Sequence, residues 1–409
     1  MHAQTRRRPR ARELGVPFDG LPGPLNAITD VSGVEVGHCT LISGSGRLKP
    51  GKGPVRTGVT AILPRGRRDA APVFAGCFSL NGNGEMTGTT WVEESGLLSG
   101  PVMVTNTHSV GVVRDAVVAW MARQRKDTKD WWALPVVAET YDGLLNDING
   151  FHVKPRHALE ALQSARSGPV PEGNVGGGTG MTCHEFKGGI GTASRKLPEK
   201  DGGYTVGVLA QCNYGLRHQL RVAGVPVGQE LRDDLIFSQS QHESGSIIIV
   251  VATDAPLLPH QLKRVARRAA MGLARNGSVA GNGSGDLFIA FSTANPEAGR
   301  AEGLASLTMF PNDRMSPLFE ATVQATEECI INAMVAAETL IGINGTKVVA
   351  LPHDRLRDIL GRHNRLVVAR ADRQGLTLTP ESGRAAGSHR PQRQSGRARP
   401  PARGHRPPR

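Results

Sequence analysis

Five consecutive β-branched residues, Ile247 to Val251, limit more than any other feature what this chain can fold into. Apolar at every position rather than at alternate ones, the run fits a strand buried on both faces, hence the middle of a layered structure. It is entered through Glu243-Ser244-Gly245-Ser246 and left through Ala252-Thr253-Asp254. By itself Gly245-Ser246 reads as a turn at a strand start. If the bond between them is cut, the pair reads differently. Ser246 then carries a hydroxyl beside its own α-amino group, a nucleophile with a built-in base.

The rest of the composition favours an α/β enzyme. Fifty-one glycines and 4% aromatics suit Gly-threaded strands and turns better than a helical bundle. The net charge of +13 belongs to the ends: residues 1–12 contribute +5 and residues 373–409 contribute +8, leaving residues 13–372 neutral. A neutral centre without a basic stripe argues against nucleic-acid binding beyond non-specific contact by the tails. Three segments follow from this: a basic disordered N-terminus (1–12), one catalytic domain (13–372), and a basic tail (373–409) too poor in apolar residues to order itself. The five cysteines are odd in number and lack a CxxC spacing, so they read as small buried hydrophobes rather than a disulfide or zinc framework. Met1–Arg12 is followed by no apolar stretch, and no 18-residue apolar run occurs elsewhere, which leads to the expectation of a cytoplasmic protein.

Along the chain, strands are expected at 34–41, 59–63, 73–80, 101–107, 135–143, 187–194, 204–213, 246–253, 287–293 and 345–352. Helices are expected at 109–123, after Asp254 as N-cap (with Leu258, Leu262, Val265, Ala266, Ala269 and Leu273 on one face), at 316–341 and at 353–362. Gly46 to Gly53 nearly spells a phosphate-binding loop, but Gly53 replaces the hydroxyl that would hold Mg²⁺, so it reads as a surface loop. The glycines of 173–180 suggest close backbone approach to a substrate or another segment. Residues 216–242 read as a surface loop.

Strand–helix alternation with several wholly apolar strands implies sheets covered by helices, and function in such folds sits at strand ends. Four polar strand ends stand out: Glu139 with Tyr141, Asn213, Gly245 with Ser246, and Ser284 with Asp286. They supply the residue types a hydrolase needs. Each also has an ordinary structural reading, as a core aromatic, a turn residue or a cap. Other schemes are missing: no GxSxG elbow surrounds Ser284, and no HExxH, paired-His spacing or dinucleotide fingerprint occurs.

Gly245-Ser246 followed by Ile-Ile-Ile-Val-Val-Ala-Thr-Asp-Ala-Pro resembles the self-cleavage site of peptidase family S58, the DmpA-type L-aminopeptidase/D-esterases and β-aminopeptidases. The resemblance extends over about residues 12–365, through Asn81–Gly88, Thr105–Gly111, Glu139–Gly143, Gly173–Gly180, Asn213-Tyr214-Gly215 and Ser284-Gly285-Asp286. It implies one αββα sandwich similar to N-terminal-nucleophile hydrolases, self-cleaved between Gly245 and Ser246. It implies an oligomer of αβ units, commonly a tetramer, acting on short peptides, amides or esters with no cofactor and no metal. By the same resemblance Ser246 is the nucleophile, Ser284 and Asp286 orient its hydroxyl and amine, and Asn213 donates to the oxyanion. Tyr141 would contact the scissile carbonyl or leaving group, and Glu139 would pair with the substrate ammonium. Some relatives have Glu where this chain has the shorter Asp286. Two alternatives stay open on the sequence: an acyltransferase of the ornithine acetyltransferase type, and a non-enzymatic oligomeric binding protein.

Overall fold

The computed structural model describes residues 8–236 and 245–367. The β-branched run forms strand β11 (Ser246–Thr253), buried along its whole length. Its alternate side chains serve two cores. Ile248, Val250 and Ala252 join a cluster that includes Val36, Ile62, Val104 and Ala138, while Ile247, Ile249 and Val251 join one that includes Leu262, Val265, Ile330 and Ile331. A strand with a core on each face has to be central. At ~1.5–3 kcal/mol per fully buried large aliphatic side chain, these residues contribute much of the drive to layer the fold.

β11 lies in a six-stranded sheet whose order is β4-β3-β12-β11-β10-β9. Its members are β3 (Val73–Gly82), β4 (Leu97–Leu98), β9 (Gly189–Lys196), β10 (Thr205–Asn213) and β12 (Gly285–Ser292). The second sheet, in the order β1-β2-β5-β6, comprises β1 (Glu35–Ser43), β2 (Val55–Leu63), β5 (Val102–Asn106) and β6 (Val136–Thr140). Helices α5 (Pro259–Arg275), α6 (Ser316–Ala336) and α7 (His353–Arg362) cover the first sheet, and α2 (Val110–Arg123) and α3 (Pro155–Ser164) cover the second. The result is the expected αββα sandwich, with the two sheets face to face. Three short elements complete the part that matters here: α1 (Thr89–Ser95), the hairpin of β7 (Thr182–Cys183) and β8 (Phe186–Lys187), and α4 (Val227–Glu230).

Several expectations are corrected. The folded chain begins before residue 13: Ala11 is fully buried and Arg8, Arg10 and Arg12 pair with acids, while residues 1–7 of the expected start lie outside the described residues. The Arg12 guanidinium makes a two-pronged contact with Glu328, which also meets Arg195 at 2.8 Å, and Arg10 pairs with Glu172 at 2.8 Å. Burial alone would raise the Glu328 carboxyl, but Arg195 and Arg12 outweigh it and hold it below its ordinary value. The expected tail, 373–409, lies outside the described residues, as do 368–372 of the expected domain. Of the expected surface loop 216–242, residues 216–236 are not one, since Leu220, Val222, Val227 and Leu231 are core residues around a short 3₁₀ turn and α4, and 237–242 lie outside the described residues. Asp254 caps no helix. α5 starts at Pro259 with Leu258 as N-cap, and the Asp254 carboxylate instead accepts from Thr205 N at 2.7 Å. The 345–352 strand shrinks to Lys347–Val348, the 316–341 helix stops at Ala336 with Leu340–Ile341 in a short strand, and α1 and α3 form where no helix is expected. All five cysteines are free and buried.

The glycine-rich 173–180 stretch is packed inside, against other segments. A Cβ on Gly178 would stand 2.4 Å from Ile190 N, and one on Gly177 2.1 Å from the Gln211 side-chain oxygen. The chain threads here between the two sheets, where only glycine fits.

Candidate active site

Ser246 is the first residue of β11 and has a neighbour on each side. The antiparallel register sets Asn213, the last residue of β10, opposite it, and the parallel register sets Gly285, the first of β12, opposite it on the other flank. Three strand ends therefore meet at one point. The Ser246 hydroxyl donates to the Gly245 carbonyl at 2.7 Å, and the Gly285 amide donates to the same carbonyl at 3.0 Å. Gly285 N also lies 3.3 Å from Ser246 Oγ. The carbonyl of the Gly245–Ser246 bond is thus held by a backbone N–H, with the neighbouring hydroxyl against it.

Gly245 must lack a side chain here because of crowding. A Cβ would come within 2.6 Å of both the Asn213 carbonyl oxygen and Tyr214 Cα. Gly285 is confined in the same way, 2.4 Å from Asn83 O. Asn83-Gly84 therefore packs directly behind the amide that meets the Gly245 carbonyl.

Asn213 is buried, and its amide has a defined orientation. Oδ1 accepts from Thr182 N at 2.8 Å, so Nδ2 is the nitrogen, donating to Tyr141 O at 2.9 Å. Behind it, Lys187 is fully buried and donates from Nζ to Met181 O at 2.7 Å, Gly188 O at 2.9 Å and Gly178 O at 3.3 Å. Burial pushes this ammonium down to about 7. The lysine fixes the Met181 carbonyl, whose peptide carries the Thr182 N–H that orients Asn213.

Ser284 and Asp286 flank Gly285, are both fully buried, and bond to each other, Ser284 Oγ donating to Asp286 Oδ1 at 2.7 Å. The shorter carboxylate reaches Ser284. Asp286 is in register with Ile247, one residue beyond Ser246.

Glu139 sits near the end of β6, nearly fully buried. It accepts from Glu85 N at 2.9 Å and from the Thr107 hydroxyl. Burial raises its pKa, against the lowering effect of those two donors. A Cβ on Gly84 would lie 3.3 Å from the Glu139 carboxylate and 3.2 Å from Gly285 Cα, so Gly84 links the carboxylate to the Ser246 neighbourhood. Tyr141, just past β6, is half exposed, and its ring lies over Gly143, where a Cβ would stand 2.2 Å from the phenol oxygen. The turn below it is pinned by Asp142, which accepts from Asn106 and Asn146 at 3.0 Å each. Full burial raises Asp142 to about 6 despite these donors.

The structure therefore brings Ser246, Gly245, Asn213, Ser284 and Asp286 to adjoining strand ends, and ties Tyr141 in through its carbonyl and Glu139 through Gly84. Sequence reasoning assigned no role to the Gly285 amide, Thr182, Lys187, Thr107 or Asp142. Backbone donors leave no residue-type signal, although Gly285 between Ser284 and Asp286 and the Asn83-Gly84-Glu85 turn lay inside the stretches singled out. Among the described residues no group of three or more His, Cys, Asp or Glu could hold a metal ion. No helix there is long and apolar enough to cross a membrane.

Two facing sheets under helices, with a serine first on a central strand beside an amide-held carbonyl, define the N-terminal-nucleophile class of hydrolases. The model of peptidase family S58 matches residues 26–348, and the chain belongs to that family. It is 58% identical over 378 residues to the beta-peptidyl aminopeptidase BapA of Sphingosinicella microcystinivorans, covering 88% of this chain and 94% of that protein. Among solved structures it is similar to the L-aminopeptidase D-Ala-esterase/amidase of Ochrobactrum anthropi, described as a variant of the Ntn hydrolase fold. There the TM-score is 0.82 and the identity 50%, over 88% of this chain and 100% of that one. A Burkholderia sp. beta-aminopeptidase superposes with a TM-score of 0.79 at 51% identity, over 87% and 99% of the two chains. The protein is a hydrolase of the serine aminopeptidase type, which displaces both the acyltransferase and the non-enzymatic alternatives.

Proposed function

We propose that the chain cuts its own Gly245–Ser246 bond and then uses Ser246 to remove N-terminal residues, β-amino acid residues among them, from short peptides and amides. The carrying observation is the Gly245 carbonyl, held at 3.0 Å by the Gly285 amide with the Ser246 hydroxyl at 2.7 Å. In self-cleavage Ser246 Oγ attacks the Gly245 carbonyl carbon and its proton passes to the Ser246 nitrogen. The C–N bond breaks to leave an ester, and water opens that ester to a Gly245 carboxylate and a free Ser246 hydroxyl. Holding both groups within one chain contributes ~7–11 kcal/mol of the barrier reduction when the geometry is maintained.

In turnover the new α-amine, with an ordinary pKa of about 7.7–8, takes the Oγ proton as the hydroxyl attacks the substrate's first carbonyl. The proton passes to the leaving amine, and water releases the acyl group. Asn213 and the Gly285 amide stabilise the oxyanion, and Ser284 and Asp286 orient the amine. Glu139 receives the substrate's ammonium, and Tyr141 contacts the leaving group from the exposed rim. The β-residue preference is supported by the name of the 58% identical relative. The active form is a tetramer of αβ units in the cytoplasm.

A panel of p-nitroanilides of L-, D- and β-amino acids tests the substrate class. The expected result is kcat/KM highest for a β-residue with a free amine. Preference for L-residues by more than about tenfold would overturn the β assignment, and sedimentation of the purified enzyme tests the tetramer.

A further inference from the structure

Lys187 is fully buried, yet each hydrogen bond from its amino group goes to a carbonyl rather than to a carboxylate. Burying a cation without a paired anion is costly, and a methionine of similar length would fill the space without that cost. Two of the three carbonyls already have a backbone donor. Met181 O also accepts from Gly188 N at 2.9 Å, and Gly178 O from Met181 N at 3.3 Å. Satisfying those acceptors is therefore not enough to explain the lysine. Its own place is fixed: Lys187 N donates to Val349 O at 2.7 Å, and the residue is paired across the hairpin with Thr182.

What the lysine adds runs along one chain of dipoles that ends at Asn213. Nζ donates to Met181 O at 2.7 Å, the shortest of its three contacts. The same peptide carries the Thr182 N–H, which donates to Asn213 Oδ1 at 2.8 Å. The Asn213 amide then gives one hydrogen of Nδ2 to Tyr141 O at 2.9 Å and has a second to offer. Each group in the chain accepts at its oxygen and donates at its nitrogen, so the bonds run in one sense and polarise one another. A cation at the start of such a chain strengthens the Met181 carbonyl dipole. It thereby makes Thr182 N–H a better donor, and Asn213 Nδ2 a better donor in turn. Gly178, Met181 and Gly188 are all buried, so water does not screen the effect. The contact also fixes the tilt of the Met181–Thr182 peptide, and through it the direction in which Nδ2 points.

We infer that Lys187 is a positioning residue for the oxyanion site: acting through the Met181–Thr182 peptide, it aims and polarises the Asn213 amide that meets the substrate's developing oxyanion. This rests on the reading of Asn213 as the oxyanion donor. The test is a double-mutant cycle on the processed full-length protein. kcat per Ser246 N-terminus and KM are measured on one p-nitroanilide at one pH for the parent, Lys187→Met, Asn213→Ala and the pair. Lys187→Met should lower kcat by about 10- to 100-fold with KM within about twofold, and by no more than Asn213→Ala does, since the lysine cannot be worth more than the donor it serves. In the Asn213→Ala background Lys187→Met should change kcat by no more than about twofold, because its route to the reaction is gone. Lys187→Gln, polar and one bond shorter than lysine, repeats the cycle if the methionine variant does not fold. Parent-like kcat in Lys187→Met overturns the inference, and so does an equal fall in both backgrounds, which a role in the fold alone would give. If Asn213→Ala itself leaves kcat unchanged, the oxyanion reading of Asn213 fails first and the role of Lys187 falls with it.

Discussion

Replacing Gly245 with alanine adds one methyl group, and its consequence can be worked from the contacts. The new Cβ would stand 2.6 Å from the Asn213 carbonyl oxygen and 2.6 Å from Tyr214 Cα. Ordinary separation is about 3.5 Å, so something must give by about 1 Å. Asn213 cannot yield easily, because it ends a strand hydrogen-bonded on both flanks and its side chain is held by Thr182 N. Gly245 moves instead, and its carbonyl leaves the 3.0 Å contact with Gly285 N. A displacement of this size in a reacting group typically costs ~10² in rate, and loss of the amide donor from the developing oxyanion costs ~10²–10³. Gly245→Ala is therefore expected to slow scission at least about 100-fold, followed as the fraction of intact chain over time after synthesis. The molecules that do split should turn over substrate normally, since residue 245 is then a chain end. Scission at the parent rate would refute the crowding argument.

Asn213→Ala should lower kcat by ~10²–10³ with little change in KM, as expected when a transition-state donor is lost; a pure KM effect would remove Asn213 from that role. Glu139→Gln should reduce kcat/KM by about 10- to 100-fold for substrates with a free ammonium while sparing N-acylated analogues, because only the former lose a charge-assisted hydrogen bond. Equal losses on both substrates would mean that Glu139 serves the fold. Lys187 carries a sign that can be checked. Its folded value of about 7 lies below the ordinary 10.5, so the folded state binds fewer protons between those limits and this group's contribution to stability rises with pH across that window. Lys187→Met should flatten the pH dependence of urea unfolding between pH 7 and 10.5 by on the order of a few kcal/mol; an unchanged slope would contradict the burial argument.

The sandwich and the strand start at Gly245-Ser246 were legible because their signals are local. β11 announces itself through consecutive β-branched residues, α5 through the spacing of Leu262, Val265, Ala266, Ala269 and Leu273, and the packed 173–180 stretch through its glycines. What was not legible depends on pairing across the chain. Arg12 looks like part of a solvated basic start until Glu328, far along the sequence, is found beneath it at 2.8 Å. Residues 216–236 show no period because their core residues, Leu220, Val222, Val227 and Leu231, are set around a 3₁₀ turn and the short α4 rather than along one face. Asp254 has the residue type of a cap, yet the strand ladder claims its carboxylate through Thr205 N. At the site, the residue types of Ser246, Asn213, Ser284 and Asp286 could be read off. The Gly285 amide could not, since every non-proline residue carries the same donor. Lys187 reads as an ordinary strand lysine until its three carbonyl partners are in view.

On the proposed mechanism Ser246 becomes a chain end and acts as one. Intact mass measurement of purified active protein, with N-terminal sequencing of each fragment, tests it most directly. Two fragments are expected, the second beginning at Ser246, and for Ser246→Ala a single uncut chain without activity. A parent preparation that is fully active as one uncut chain would contradict it.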